Sequence, residues 1–193
     1  MSKNRLIVAM SGASGQIYGI RLLQILAATP EIETHLVISR AAHITLAHET
    51  KFTLAQVEAL ADVVYRPEDI GAAIASGSFS TLGMVITPCS IKTLSAVAHS
   101  YADNLITRAA DVQLKEGRPL LLMVRETPLH LGHLRLMTQA AEIGAIIFPP
   151  VPALYANSQT IDDMVTYTVG RMLARIGIPN DAYEEWLGTD SFS

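Results

Sequence analysis

Cysteine, aromatic residues and charge are all scarce in this 193-residue chain, which has one Cys, 6% Phe, Trp and Tyr together and 17% Asp, Glu, Lys and Arg. One Cys forms no intramolecular disulfide, which fits a reducing compartment. With no CxxC pair and only six His, the chain also lacks a structural zinc pattern. Low charge beside 50% hydrophobic residues and a mean hydropathy of +0.31 excludes a disordered or solvating chain. The net charge of -4 and a pI near 5.8 argue against a nucleic-acid partner, which favours a basic face. Long hydrophobic runs are missing too. None reaches the roughly 18–20 apolar residues of a spanning helix, and the longest, Gly144 to Leu154, is broken by Pro149, Pro150 and Pro152. Lys3 and Arg5 precede an apolar stretch as in a signal peptide, but Leu6 to Met10 is only five residues long. These features predict a cytoplasmic chain with no membrane and no nucleic-acid partner. The apolar excess then calls for a protein interface.

What is present is an alternation of short apolar runs with longer amphipathic ones. Leu6–Met10, His35–Ser39, Met84–Thr87, Leu120–Val124 and Ala145–Phe148 read as buried strands. Helical spacing marks Gly15–Ala28, Ala41–Glu49, a helix opening near Ile91, and Ile161–Ile176. Such alternation predicts an α/β fold, a three-layer sandwich of flavodoxin-like or Rossmann-like type with a mainly parallel sheet. No repeat, linker or shift of composition divides the chain, so residues 1–193 are expected to form one domain with a frayed tail from Gly188 to Ser193.

Ligands of open parallel sheets bind beyond the carboxyl ends of the strands. There the chain places Ser11-Gly12-Ala13-Ser14-Gly15, then Ser39-Arg40, then Thr87-Pro88-Cys89-Ser90-Ile91-Lys92-Thr93, then Arg125-Glu126-Thr127-Pro128. Hydroxyls, glycines and cations gather at this edge, and the first and third segments open helices whose N–H groups suit an anion such as phosphate. The glycine segment is neither GxGxxG nor GxxxxGK[ST], and it also reads as a plain tight turn. Ser39-Arg40 stands where a dinucleotide site would carry an acidic residue, which disfavours NAD and suits a mononucleotide. Arg108 and Lys115, seven residues apart, share a helix face, either for an anion or simply in solvent. Arg171 is open to the same two readings, Trp186 to packing, and Glu49 is exposed unless something recruits it. His43, His48, His130 and His133 make no HxxxH pair with a carboxylate, and Cys89 reads as a small packing residue.

Six segments in this order resemble the flavin prenyltransferase family and its phenylacrylic acid decarboxylase relatives. They are Met10–Gly19, Ile38–Ala42, Thr87–Thr93, Asn104–Asp111 with Leu114–Glu116, Leu122–Pro128 and Pro149–Tyr155. The resemblance implies a flavodoxin-like sheet that binds FMN and, without metal, joins to it the dimethylallyl group of dimethylallyl monophosphate. The prenylated FMN would serve a separate UbiD-type decarboxylase. It further implies that Gly12, Ala13, Ser14, Ser39, Ser90, Ile91, Lys92, Thr93 and Arg125 hold the flavin and its phosphate. Arg108, Lys115, Arg125, Glu126, Tyr155 and Arg171 would surround the prenyl phosphate. Ser14, Glu49 and Glu126 would handle protons, and Trp186 would shield the prenyl group. A homododecamer with sites at subunit contacts is implied as well, and Ile146–Tyr155 is the candidate contact surface.

This set is chemically coherent. Phosphate leaves readily only when its charge is neutralised and a proton supplied, which fixed Arg and Lys donors can do. A developing allylic cation is stabilised by aromatic faces in a dry pocket. The alternative reading is an FMN-dependent decarboxylase acting directly on an aromatic acid or a cysteinyl substrate. The cysteine decarboxylases carry Asn where Lys92 stands, which this sequence does not match, and a catalytic His near the second helix, where His43 and His48 stand here. A plain flavin carrier has no need for Arg108, Lys115, Arg125 and Arg171.

Overall fold

In the computed structural model, residues 4–186 and 188 are described. The elements are β1 (Asn4–Met10), α1 (Gln16–Ala27), β2 (Ile32–Ile38), α2 (Arg40–Glu49), α3 (Leu54–Glu58), β3 (Val63–Tyr65), β4 (Gly83–Cys89), α4 (Ile91–Ala98), α5 (Leu105–Lys115), β5 (Leu120–Val124), α6 (Leu131–Glu142), β6 (Ile146–Ile147) and α7 (Ile161–Arg175). The sheet order is β3-β2-β1-β4-β5-β6, and every pairing is parallel. This is the doubly wound, Rossmann-like order. Chain direction switches between β1 and β4, so the loops that follow these two strands diverge and open a crevice at their carboxyl ends.

Side-chain alternation along each strand feeds two cores. Leu6, Val8 and Met10 of β1 face α1 and α7, where Ile20, Leu23, Val169 and Met172 are buried. Ile7 and Ala9 face the opposite way, toward Leu94, Val97, Ile106 and Ala109 of α4 and α5. Because both faces of β1, β4 and β5 are covered, these strands read as unbroken apolar runs in sequence. No helix among the described residues is long and apolar enough to cross a membrane.

The structure adds three elements that the apolar runs do not announce. Strand β3 is three residues long and only partly buried, and α3 is five residues long. Helix α6 buries a single residue fully, Ala140, with Leu136 and Met137 packed only partly against the core, so its inward stripe is short. Strand β6 is shorter than the Ala145–Phe148 run, because only Ile146 and Ile147 pair with β5. Of the Ile146–Tyr155 stretch, Val151 and Leu154 are 74% and 77% exposed, as a contact surface requires. The expected fraying of the tail concerns residues 189–193, which lie outside the described residues, with Gly188 just inside.

One close approach fixes how α1 lies on the sheet. A Cβ on Gly19 would sit 2.6 Å from the Thr87 carbonyl oxygen of β4 and 2.8 Å from the Met10 side chain. The helix therefore seats its backbone directly against β4. Gly19→Ala gains helix propensity, worth about 1 kcal/mol, yet overpacks the seat by roughly 1–3 kcal/mol or more, because backbone cannot yield as a side chain can. The expected outcome is net destabilisation in urea unfolding; a midpoint equal to or above that of the parent chain would refute the seat.

Candidate functional site

The crevice is built from the loops after β1, β2 and β4. Ser11 ties two of them together: its hydroxyl donates to the Pro88 carbonyl at 2.9 Å and accepts from the Ser90 N–H at 2.7 Å. Gly12 follows because a Cβ there would lie 2.5 Å from the Ala41 side chain at the start of α2. Gln16 is fully buried beneath the loop, and its amide donates to the carbonyls of Ser11 and Ala13, both at 2.8 Å, and to the Thr45 hydroxyl at 2.9 Å. The glycine segment is thus held from below by a side chain the sequence pattern does not single out.

Glu49, the last residue of α2, is recruited. Its Oε2 accepts from the N–H groups of Gly15 at 2.8 Å and Gln16 at 3.1 Å, so it caps α1 across 34 residues of sequence. Partial burial pushes the Glu49 carboxyl up, but hydrogen bonds from Ser14, Gly15 and Gln16 and the charge of Arg125 together hold it below the usual carboxylate range. Tyr18 is raised by burial and lowered less by the same Arg125, which places that guanidinium on this edge. The α1 terminus therefore already carries a carboxylate. The expectation that both helix openings await an anion is corrected here: the α4 opening remains, and α1 is taken.

At the α4 opening Ser90 caps the helix, its Oγ accepting from the Thr93 N–H at 3.3 Å. Ser39 caps α2 in the same manner, accepting from Ala42 at 3.1 Å. A cavity of about 770 Å³ lies between these turns, lined by Ser11, Gly12, Ser39, Lys92, Thr93 and Thr107 among others. Hydroxyls, helix N–H groups, a lysine and apolar Ala and Ile walls form a donor set that fits a flavin mononucleotide. Cys89, buried behind it, has its thiol pushed up to about 12 by burial and is a packing residue. Arg125 and Glu126 are exposed past the end of β5, where the Glu126 carboxylate accepts from the Thr127 N–H at 3.0 Å.

The other expected site residues do not join this cleft within one chain. Arg108 lies one residue beyond cleft-lining Thr107 and pairs with Asp111 at 3.0 Å. Lys115 ends the same helix, paired with Glu116 and close to Gly77, at the amino edge of the sheet. Tyr155, Arg171 and Trp186 occupy a third place. The Arg171 guanidinium stands 5.2 Å over the Tyr183 ring, and Tyr183 meets Tyr167 edge-on at 6.1 Å. Tyr167 in turn donates its hydroxyl to that of Tyr155 at 3.1 Å, and Tyr155 meets Trp186 at 5.4 Å. Burial, then the Tyr155 hydroxyl, pushes Tyr167 up to about 12. Tyr155, Tyr167, Tyr183 and Trp186 line a cavity of about 570 Å³ that shares no lining residue with the cleft. Sequence reasoning misses Tyr167 and Tyr183. Tyr167 had a signal, standing four residues before Arg171 on one helix face; Tyr183 had none.

The Glu49 cap makes a stability prediction. Glu49→Ala strips two N–H groups of their acceptor and is expected to lower stability by about 1 kcal/mol. A carboxyl held below its unfolded value contributes stability above that value, near 4.3, and loses it as pH falls through the lower folded value. Thermal unfolding from pH 7 to pH 2 should therefore show Glu49→Gln losing part of the parent's acid dependence; superimposable curves would refute the cap.

The Flavoprotein family matches residues 1–173. The flavin prenyltransferase UbiX of Escherichia coli strain K12 is 64% identical over 186 residues, 95% of this chain and 98% of that protein. The crystal structure of AnUbiX (PadA1) in complex with FMN and dimethylallyl pyrophosphate superposes with a TM-score of 0.94, at 45% identity over 97% of this chain and 99% of that one. A dodecameric FMN-dependent UbiX-like decarboxylase from Escherichia coli O157:H7 gives 0.93 at 46% identity, covering 95% of this chain and 100% of that one. The chain belongs to the flavin prenyltransferase family.

Proposed function

We propose that this chain, acting as one flavoprotein domain over residues 1–193, joins the dimethylallyl group of dimethylallyl monophosphate to reduced FMN and releases phosphate. The prenylated FMN then serves a UbiD-type decarboxylase in the cytoplasm. The observation that carries the reading is the flavin-sized cleft lined by Ser11, Gly12, Ser39, Ser90, Lys92 and Thr93, whose β1 loop leads on to the Ser14–Glu49 pair that Arg125 also influences. Reduced flavin supplies the nucleophilic ring to which the prenyl carbon is joined. Gly12, Ala13, Ser14, Ser39, Ser90, Ile91, Lys92, Thr93 and Arg125 are the residues to hold it. With α1 already capped, its phosphate belongs at the α4 opening, beside Ser90, Lys92 and Thr93.

Departure of the prenyl phosphate needs positive charge and a proton. Arg108, Lys115, Arg125 and Arg171 supply the charge, Glu126 and Tyr155 the proton transfer, and Trp186 with Tyr155 an aromatic face for the allylic cation. Lys115 stands at the far end of α5 from its own cleft, and Arg171 over the Tyr183 ring that lines a separate cavity. One chain therefore cannot collect them, and the site is proposed to form where copies meet, in a dodecamer like that of the UbiX-like relative. Tyr183 and Tyr167 link Arg171 to Tyr155 by successive contacts.

Anaerobic incubation of the purified protein with reduced FMN and dimethylallyl monophosphate is expected to raise the flavin's mass by one C5 unit. Unchanged flavin in FMN-loaded protein would refute the reading, and carbon dioxide released from an aromatic acid by this chain alone would favour direct decarboxylation. In the same assay Lys115→Ala and Arg125→Ala are each expected to weaken dimethylallyl phosphate about 10–100-fold, the worth of one or two charge-assisted bonds. Unaltered kinetics in both would remove them from the phosphate site.

A further inference from the structure

The wall of the flavin cleft holds a charged pair that the proposed function does not use. Arg40, the first residue of α2, and Glu68, in the loop after β3, both line the cavity. The Arg40 Nε–H donates to the Glu68 Oε1 at 2.7 Å and so joins the start of α2 to that loop. The loop is itself fixed, because the Leu105 N–H at the start of α5 donates to the Pro67 carbonyl at 2.8 Å. Both partner side chains are exposed, and a single bond joins them where a guanidinium can offer a two-bond fork. Such a pair is weak and readily exchanged for a better one.

The other charges of the lining show what the better partner is. Lys92, at the α4 opening, makes no side-chain hydrogen bond or ion pair among the described residues. Asp103, the second carboxylate of the lining, accepts from the Asn104 amide at 2.6 Å and the Thr107 hydroxyl at 3.3 Å. One cation is thus free for an anion, while the other, Arg40, is held by Glu68. A phosphate monoester carries roughly 1.5–2 negative charges at pH 7 and three acceptor oxygens, which suit a guanidinium fork better than one carboxylate oxygen does. Arg40 directly follows Ser39, the α2 cap that lines the same cavity, so it stands beside the place assigned to the phosphate. A phosphate there draws Arg40 from Glu68, and Glu68, left without its cation, opposes the anion.

We propose that Glu68 and the flavin phosphate compete for Arg40, so that Glu68 limits how tightly the flavin is held. This rests on the function proposed above, in which the flavin is a substrate and neither Arg40 nor Glu68 has a part. A prenylated flavin made for another enzyme must leave, and a carboxylate placed to take back the cation loosens the hold on it.

Fluorescence titration of the full chain with oxidised FMN and with riboflavin, the same ring system without phosphate, tests the competition. Arg40→Ala is expected to weaken FMN about tenfold, the worth of one charge-assisted bond, and to leave riboflavin unchanged. Glu68→Gln keeps the shape without the charge. It is expected to tighten FMN about two- to fivefold, the strength of an exposed pair, again with no effect on riboflavin. In the double variant R40A/E68Q that gain is expected to vanish, because no cation remains to be freed. A gain that persists without Arg40 would overturn the exchange and leave only repulsion by Glu68. A Glu68→Gln variant that binds FMN more weakly would overturn it too, making Glu68 a support for Arg40. Unaltered FMN affinity in both single variants, with prenylation intact, would reject the competition alone, whereas a parent chain that binds neither flavin would reject it together with the proposed function.

Discussion

The Glu49 carboxylate at the N-terminus of α1 is the contact on which the geometry of the site depends. It joins the last residue of α2 to the first N–H groups of α1, and so closes the βα unit on itself around the Ser11–Gly15 loop. Gln16 holds that loop from inside, and Ser11 binds it to the turn after β4. A helix N-terminus carries about half a positive charge. Spent on Glu49, that charge is no longer offered to a phosphate, which in the proposed function leaves the α4 opening for it. The same bonds keep the carboxylate ionised beside Ser14, where it can accept a proton. In the proposed function, one contact would therefore separate the place for phosphate from the place for proton transfer.

Much of this architecture is legible in the sequence because sheet burial is two-sided. Strands β1, β4 and β5 appear as apolar runs, and the residues that follow them name the carboxyl edge directly. Elements with only a narrow covered face leave little such trace, hence the unannounced β3 and α6. The role of Glu49 could not be read locally either: the sequence shows a carboxylate at the end of a helix, and only the packing of α1 beside α2 turns it into a cap. Gln16 is the inverse case, a polar residue at a helix start that is fully buried because three acceptors lie beneath it.

Arg108 and Lys115 show a further limit of periodicity. They do share a helix face, but a seven-residue spacing also separates them by about 10 Å along the axis. In a parallel sheet that distance leads from the ligand edge toward the opposite one, so a common face is not a common site. Of the four cations expected around one phosphate, three lie in three places, each with a local partner: Asp111 for Arg108, Glu116 for Lys115 and the Tyr183 ring for Arg171. Exposed pairs of this kind are weak, so a phosphate can displace them at little expense when copies bring the three places together.

The apolar excess of the composition acquires a location in the same way. Of the fourteen large hydrophobic residues exposed among those described, eight fall between Leu129 and Ile161, in α6, the β6 edge and the proline-rich turn that leads to α7. Strand β6 is two residues long and has no strand beyond it, so this side of the sheet has little core of its own to fill. Apolar surface concentrated there rather than scattered is the mark of an interaction face. The segment is bounded by Glu126 and Pro128 at one end and includes Tyr155 near the other. Covering it with further copies would therefore remove water from the very residues assigned to the prenyl phosphate, which strengthens their charge interactions. On the proposed function assembly and catalysis become one requirement: the surface that makes the lone chain so apolar would also dry the Glu126 and Tyr155 side of the site.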